Sequence, residues 1–310
     1  AQYIEMYDRL IGPYPYGKFA LVENFWETGF GMASFTLLGP QVIRMPFILA
    51  SSYPHEILHN WWGNSVFVDY ASGNWCEGLT AYMADHLIQE QRGRGEEYRR
   101  DTLQKYRSYV RDGRDFPLTE FRSRHSAATE AVGYGKTLMV FHMIRQRIGD
   151  EAFRKWAARF YREYRGKQAS FADVRKSLEA AAGLDLGRFF ADHVEKPGAA
   201  RLQAKLSDLR ESTGGGFEVA FVIEQTQPGA PLLLDVPVVV QTTKLGMMWI
   251  FDARTGQPLH GFEERPVAQS KVPNEKSSPT QPFTLGPPPL GRMTISRETL
   301  TELSPEANAT

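Results

Sequence analysis

Two histidines and a glutamate stand at the spacing of metal ligands. The segment H-E-I-L-H occupies positions 55–59, so on a helix His55 and His59 lie one turn apart on the same face. Seventeen residues, 60–76, separate His59 from Glu77. Two imidazoles and one carboxylate leave the fourth position of a tetrahedral zinc ion open for water. The pattern predicts one zinc ion per chain, bound by His55, His59 and Glu77.

The residue between the two histidines predicts what such a site would do. Zinc lowers the pKa of a bound water to about 7, and Glu56 is placed to take its proton as hydroxide attacks a carbonyl. The motif also occurs by accident in long helices. Here Glu77 opens a second predicted helix in a stretch, N-W-C-E-G at 74–78, that is aromatic and marked by glycine. We therefore interpret Glu56 as the general base of a hydrolase.

The sequence around both motifs carries a wider signature. It comprises H-E-I-L-H-N-W-W-G-N at 55–64, N-W-C-E-G-L-T-A-Y at 74–82, L-I-G-P-Y-P-Y at 10–16, Y-G-K at 134–136 and F-F-A-D-H at 189–193. These segments resemble the gluzincin metallopeptidases of the aminopeptidase N and leukotriene-hydrolase family. The resemblance implies a thermolysin-like fold, zinc as cofactor, and a peptide or protein as substrate. Its leading functional implication is a metallo-aminopeptidase.

The resemblance also assigns a role to Tyr134, at the start of a predicted helix. A phenol aimed at a tetrahedral intermediate is a preorganised donor worth ~3 kcal/mol in the transition state. From the residues alone, a tyrosine packed in the core is the favoured interpretation. The family makes Tyr134 the candidate oxyanion stabiliser.

The segment expected to bind the substrate departs from the family. Its exopeptidases carry G-x-M-E-N, whose glutamate pairs with the substrate's free amine, whereas this chain has Ala33 and Ser34 where the glutamate and asparagine would fall. We keep Gly31, Met32, Ala33 and Ser34 as candidate substrate-binding residues, because this backbone could pair with an extended peptide. Loss of the glutamate raises the alternative of an endopeptidase or oligopeptidase. A non-catalytic scaffold relative is a further alternative, although a scaffold has no need of Glu56.

The elements that must position these residues indicate an α+β chain of two domains. Residues 1–198 are predicted to form a thermolysin-like, mostly helical catalytic domain, with a small N-terminal β-sheet from strands at 19–26 and 32–38. Predicted helices follow at 75–91, 134–148, 151–164 and 171–182, from apolar periodicity and terminal glycines. Residues 199–310 are predicted to form an all-β sandwich, with strands at 217–223 and 232–241. The stretch 263–290, rich in Pro, Ser, Lys and Glu, is expected to be a long loop or partly disordered.

Composition excludes several classes of partner. Lys plus Arg and Asp plus Glu each number 36, so nothing in the net charge favours nucleic acid. No apolar run is long enough to span a membrane. The single cysteine, Cys76, excludes an internal disulfide and leaves the compartment undetermined. The family usually has an N-terminal domain that this sequence lacks, so we expect the full-length protein to contain one.

Overall fold

The computed structural model describes residues 1–286 except 112, 212–216, 237, 243–246, 253–256, 270–271 and 274–276. Two compact units divide the chain. The first unit comprises Ala1–Ala199 and Ala230–Asp235, and the second comprises Ala200–Gly229 and Val236–Thr310. All of the residues predicted to do chemistry lie in the first unit.

The helices are α1 Gln2–Leu10, α2 Ser52–Leu58, α3 Cys76–Ala81, α4 Leu87–Gln91, α5 Gly95–Tyr109, α6 Ala127–Glu130, α7 Thr137–Ile148, α8 Asp150–Tyr164, α9 Phe171–Ala182 and α10 Gly187–His193. Two π-helical turns, Tyr82–His86 and Ala131–Lys136, join α3 to α4 and α6 to α7. Short 3₁₀ turns lie at Val42–Arg44, Ile48–Ala50, Tyr70–Ser72 and Leu118–Glu120. The strands are β1 Ala20–Glu23, β2 Gly29–Met32, β3 Phe35–Leu38, β4 Phe67–Val68, β5 Gln168–Ala169, β6 Leu202–Glu211, β7 Phe217–Gln225, β8 Val238–Thr242, β9 Met248–Asp252, β10 Phe262–Pro266 and β11 Thr280–Thr284.

The small N-terminal sheet has the order β1-β3-β2. Strand β1 runs parallel to β3, and β2 is antiparallel to β3 with Gly29 opposite Leu38 and Met32 opposite Phe35. Strand β2 lies at one edge of this sheet, against helix α2. The predicted sheet is therefore present, with two short strands where one longer run, 32–38, was expected.

The helices of the first unit surround an aromatic core. Four tryptophans, at 61, 62, 75 and 156, are fully buried together with Phe160. The indole N–H of Trp75 donates to the carbonyl of Ala169 at 2.7 Å, which ties the start of α3 to β5. Because interiors are close-packed, this core holds α2 and α3 in fixed positions.

Helix boundaries in the first unit follow local signals. Ser170 caps α9, because its hydroxyl oxygen accepts from the backbone N–H of Asp173. The Asp173 carboxylate in turn accepts from the backbone N–H of Ser170. Gly183 ends the same helix in the left-handed conformation, with φ of 67°. Ser126 and Thr129 form a second capping box at the start of α6.

The second unit differs from its prediction in two places. Its described strands form three separate antiparallel pairs, β6 with β7, β8 with β9, and β10 with β11, so the sandwich stays a prediction. The prediction of a loop at 263–290 is wrong in part, because strand 262–266 pairs with strand 280–284. Within that stretch, residues 270–271, 274–276 and 287–290 lie outside the described residues. Prolines at 266 and 282 are tolerated because a two-stranded pair consists of edge strands.

The predicted strand at 232–241 is shorter than expected. Residues 232–235 belong to the first unit and form no strand, whereas β8 begins at Val238. The backbone of Leu233 explains the change, because its N–H donates to Asp192 Oδ2 at 3.0 Å and its carbonyl lies 2.8 Å from His193 Nε2. These contacts with α10 replace the ladder bonds of a strand.

Candidate active site

The three predicted metal ligands meet at one point between α2 and α3. The Nε2 atoms of His55 and His59 each lie 3.4 Å from Oε2 of Glu77. A tetrahedral zinc ion with bonds of about 2.0–2.1 Å separates its ligand atoms by roughly 3.4 Å, so the observed spacing fits the ion. Among the described residues, this trio is the one group of histidine and acidic side chains close enough to share a metal.

Local folding explains how the trio converges. Helix α2 ends at Leu58, and His59 follows as its C-cap with αR backbone angles, so the two imidazoles remain one turn apart. Glu77 lies in the first turn of α3. Cys76, beside it, is buried with its Sγ 3.5 Å from Nδ1 of His59, on the far side of that ring from Glu77.

Hydrogen bonds to the second ring nitrogens orient both imidazoles. Nδ1 of His55 lies 2.7 Å from Oδ2 of Asp85, and Nδ1 of His59 lies 3.1 Å from the carbonyl oxygen of Trp62. Both partners are acceptors, so each Nδ1 donates its proton to that partner and each Nε2 faces Glu77. A bound metal ion would take the lone pair of each Nε2.

Asp85 is a site residue that sequence reasoning missed. It lies in the π-helical turn Tyr82–His86, which widens the helix after α3 and changes the direction of its side chains. A π-turn leaves no clear signature in one sequence. The usable signal was the acidic residue itself, eight positions after Glu77 on a predicted helix.

The electrostatics of the trio favour a cation. Burial opposes the charged form of His55, but the carboxylates of Asp85 and Glu77 outweigh it and raise the pKa of His55 to about 10. Burial likewise opposes ionisation of Glu77, yet the two imidazoles keep the pKa of its carboxyl well below the usual value. Glu77 is therefore an ionised carboxylate held between two nitrogen ligands, a donor set suited to zinc.

Glu56 and the edge strand β2 lie together beside the metal ligands. A Cβ on Gly29 would come within 2.7 Å of Oε1 of Glu56, and one on Gly31 within 2.5 Å of Cβ of His59. Only glycine permits so close an approach of a strand to the helix that carries the ligands. The two glycines thus bring the backbone of β2 to the edge of the site.

Tyr134 lies above the same ligands in the π-helical turn Ala131–Lys136. Its ring stacks on that of His55, with 6.2 Å between centroids and an interplanar angle of 19°. Burial and the carboxylate of Glu77 raise the pKa of Tyr134 far above its ordinary value. The phenol therefore stays protonated at all physiological pH and can donate a hydrogen bond.

The four candidate substrate-binding residues divide into two pairs. Gly31 and Met32 line the cavity, whereas Ala33 and Ser34 form the turn between β2 and β3 and are absent from its lining. Two asparagines that follow the metal helix hold this hairpin: Oδ1 of Asn60 accepts from the Ser34 N–H at 2.9 Å, and Nδ2 of Asn64 donates to the carbonyl of Gly31 at 2.8 Å.

All these groups border one cavity of about 970 Å³. The trio and Glu56 line it together with residues of β2, of the segment 42–52, of α5 and of the segment 123–138. A volume of this size accommodates several residues of a peptide.

Comparison with known proteins agrees with this geometry. The model of the peptidase family M1 domain matches residues 48–193, a range that contains the trio, Glu56 and Tyr134. This part of the chain belongs to the M1 peptidase family. Its members of aminopeptidase N type are the gluzincins that the sequence resembles.

Individual M1 proteins match over the same part. Leucyl aminopeptidase of Saccharolobus solfataricus is 22% identical over 214 residues, which cover 64% of this chain and 26% of that protein. The M1 zinc metallopeptidase of Deinococcus radiodurans superposes with a TM-score of 0.53 at 20% identity, covering 64% of this chain and 43% of that one. The chain thus spans about a quarter of the curated relative, and the structural neighbour shows a shared M1 fold.

The end of the chain is similar to a different family. The model of the glucose/ethanol/alcohol dehydrogenase β-propeller domain matches residues 228–310. The glycerol dehydrogenase large subunit of Gluconobacter thailandicus is 41% identical over 56 residues, or 18% of this chain and 8% of that protein. This similarity lends no support to the M1-type sandwich predicted for the second domain. In the part of the chain that the structure describes, no helix is long and apolar enough to cross a bilayer.

Proposed function

We propose that the M1 unit is a zinc-dependent peptidase that hydrolyses peptide bonds, in the first instance as a metallo-aminopeptidase. The observation that carries the proposal is the 3.4 Å convergence of both Nε2 atoms on Glu77, with Glu56 on the same helix turn. His55, His59 and Glu77 would hold one zinc ion. When bound, zinc would lower the pKa of a water ligand to about 7 and polarise the substrate carbonyl.

The residues of the chain supply the remaining chemistry. The Glu56 carboxylate takes the proton of the attacking water and returns it to the leaving amine. The Tyr134 hydroxyl donates to the oxygen that becomes negative, and its raised pKa keeps the donor protonated. The edge strand β2 offers backbone groups to an extended peptide, which aligns the scissile bond over Glu56.

A specific observation favours the second candidate, an endopeptidase or oligopeptidase. Apart from Glu56 and the ligand Glu77, the acidic residues that line the cavity are already engaged. Glu27 accepts from the backbone N–H groups of Gln41 and Val42, Asp85 contacts His55, and Glu130 contacts Arg124. With no glutamate at position 33, these residues leave the substrate's ammonium group without a free carboxylate partner.

One experiment tests the chemistry and the choice between candidates. The zinc-loaded chain and its Glu56→Gln variant are assayed on a peptide with a free amine and on its N-acetylated form. We expect Glu56→Gln to bind zinc normally and to lose at least 100-fold in kcat, because general-base catalysis is worth 10²–10⁴-fold. Unchanged kcat would refute Glu56 as the general base, and no turnover by the zinc-loaded wild type would favour the scaffold alternative.

The substrate pair then separates the peptidase classes. An aminopeptidase discriminates against the acetylated peptide by orders of magnitude, since a buried ammonium–carboxylate pair would be lost. Comparable kcat/KM for the two forms would instead assign the chain to the endopeptidase or oligopeptidase class.

A further inference from the structure

Two cationic side chains line the cavity. They are Lys105 on α5 and Arg124, in the segment before α6. Glu130 lines it as well, and its Oε2 lies 3.2 Å from Nη1 of Arg124. The other acidic residues of the lining are Glu27, Glu56, Glu77 and Asp85.

Arg124 is placed in a defined position by two neighbours. Glu130 accepts from its Nη1, and the Cζ atom lies 5.9 Å from the centroid of the Tyr134 ring. A guanidinium carries five N–H donors in a planar fork, so the contact with Glu130 leaves donors for a further partner. About half of the Arg124 side chain is exposed, at 51%, which leaves the guanidinium accessible to a ligand.

The distance to Tyr134 indicates which part of a substrate would meet Arg124. The proposed oxyanion donor marks the position of the scissile carbonyl, and a peptide advances about 3.3–3.6 Å per residue. A guanidinium 5.9 Å from the Tyr134 ring therefore lies within one or two residues of the cleaved bond. The group that pairs best with a planar fork of donors is a carboxylate.

We propose that Arg124, oriented by Glu130, forms a carboxylate-binding subsite that selects peptides carrying a carboxylate within two residues of the scissile bond. That carboxylate has two possible sources, the free C-terminus of a di- or tripeptide and the side chain of Asp or Glu. The inference rests on the proposed peptidase function, and it identifies the substrate class by the negative charge that Arg124 would bind.

The test compares three peptides on four forms of the full chain. The peptides are Ala-Ala-Ala, its C-terminal amide, and Ala-Glu-Ala amide. The forms are the wild type, Arg124→Ala, Arg124→Lys, and Arg162→Ala as the control, since Arg162 is exposed near the end of α8 and outside the cavity. Zinc content is measured for each.

We expect Arg124→Ala to lower kcat/KM about tenfold for the peptides with a carboxylate, mainly through KM, and to leave the neutral amide within twofold. Arg124→Lys should recover part of the loss, and Arg162→Ala should match the wild type. A preference of the wild type for Ala-Ala-Ala identifies the C-terminus as the source, and one for Ala-Glu-Ala amide identifies the side chain. Equal losses on all peptides would overturn the subsite.

A binding measurement separates this proposal from the peptidase function. Calorimetric titration of the same peptides into Glu56→Gln, with and without Arg124→Ala, needs no turnover. Tighter binding of the carboxylate peptides that disappears with Arg124→Ala supports the subsite even if no peptide is cleaved. Equal affinity for the acid and the amide refutes it, whatever the wild type hydrolyses.

Discussion

At the scale of single residues, Asp85 contacts His55, one of the three proposed metal ligands. The carboxylate holds Nδ1 of His55 at 2.7 Å and so fixes both the ring orientation and the tautomer that presents Nε2. Partners of this kind also increase the basicity of the imidazole. The zinc affinity of the site should therefore depend on a residue that does not touch the metal.

Replacing Asp85 by Asn tests this dependence. The amide keeps the size of the side chain but removes its charge, and we expect zinc affinity to fall 10–100-fold, as for other partners of metal-bound histidines. Competition with a fluorescent chelator measures it. Asp101→Asn, on the exposed face of α5, is the control and should bind zinc like the wild type. Equal affinities for Asp85→Asn and Asp101→Asn would contradict the role given to Asp85.

At the scale of elements, the hairpin of β2 and β3 positions the cavity wall through an unusual turn. Ser34 has φ of 69°, the one positive φ outside glycine in the described part of the chain. Its N–H is held by Asn60, so the turn cannot relax without losing a hydrogen bond to a buried side chain. The family's asparagine would fall at this position, and Asn adopts the left-handed conformation more readily than most residues.

Substitutions at Ser34 should therefore follow backbone preference. We expect Ser34→Val to lower the free energy of unfolding by about 1–2 kcal/mol, because a β-branched residue is strained at positive φ. Ser34→Asn is the matched control and should be neutral or slightly stabilising. Urea unfolding followed by tryptophan fluorescence measures both. If the two variants have the same midpoint and slope, backbone strain does not govern this turn.

Elements defined by local signals were predictable from the sequence. The expected helix at 171–182 coincides with α9, because Ser170 caps it and Gly183 ends it. The expected helix at 75–91 is interrupted by a π-turn that carries Asp85, and the one at 134–148 begins inside a π-turn that carries Tyr134. A π-turn contains one residue more than an α-helical turn, and the spacing of apolar residues does not reveal it. The directions of the Asp85 and Tyr134 side chains were therefore not predictable.

Elements defined by distant contacts were not predictable. The apolar run at 232–235 has the composition of a strand, yet Asp192 and His193 bind its backbone instead. Conversely, the Pro- and Ser-rich sequence around 262–284 gives little strand signal, although its two ends pair in register. In the candidate site, the spacing of His55, His59 and Glu77 was enough to predict the metal-binding motif. The hydrogen-bond partners of the two histidines, Asp85 and Trp62, depend on tertiary packing and were not predictable.

At the scale of the whole molecule, the chain combines similarity to two families. Residues 48–193 match the M1 peptidase domain and residues 228–310 match a dehydrogenase propeller domain. Along the sequence, the first compact unit ends at Ala199 and the second begins at Ala200, and residues 230–235 belong to the first. Every residue of the candidate site and of the proposed carboxylate subsite lies in the first unit, so the chemistry proposed here depends on that unit's stability.

That stability should depend on pH through two histidines, one buried and one half-buried. His86 and His142 lie with ring centroids 5.6 Å apart. Arg99 donates to Nε2 of His86 at 2.8 Å, and the Tyr82 hydroxyl lies 3.2 Å from Nδ1 of His142. Burial, reinforced by Arg99 and Arg145, lowers the pKa of His86 to about 4 and that of His142 to about 3. Both rings are therefore neutral in the folded protein at physiological pH.

The sign of the effect follows from where the protons bind. An unfolded histidine has a pKa of about 6.5, so between pH 6.5 and about 4 the unfolded chain binds protons that the folded chain excludes. The stability contributed by neutral burial is complete above pH 6.5 and is lost as the pH falls toward the folded pKa values. Each excluded proton contributes a slope of up to about 1.4 kcal/mol per pH unit.

His142→Gln tests the contribution of one ring, because glutamine keeps a polar group near Tyr82 and cannot titrate. We expect the free energy of unfolding of the wild type to fall from pH 6.5 to 4 more steeply than that of the variant, by up to about 1.4 kcal/mol per pH unit. Urea unfolding at half-unit pH intervals measures the slopes. His125→Gln, at an exposed position, is the control and should retain the wild-type slope. Removing a histidine that stays neutral in the folded protein must remove its share of the proton uptake on unfolding. If the free energy of unfolding of His142→Gln has the same pH slope as that of the wild type, these two histidines do not set acid stability.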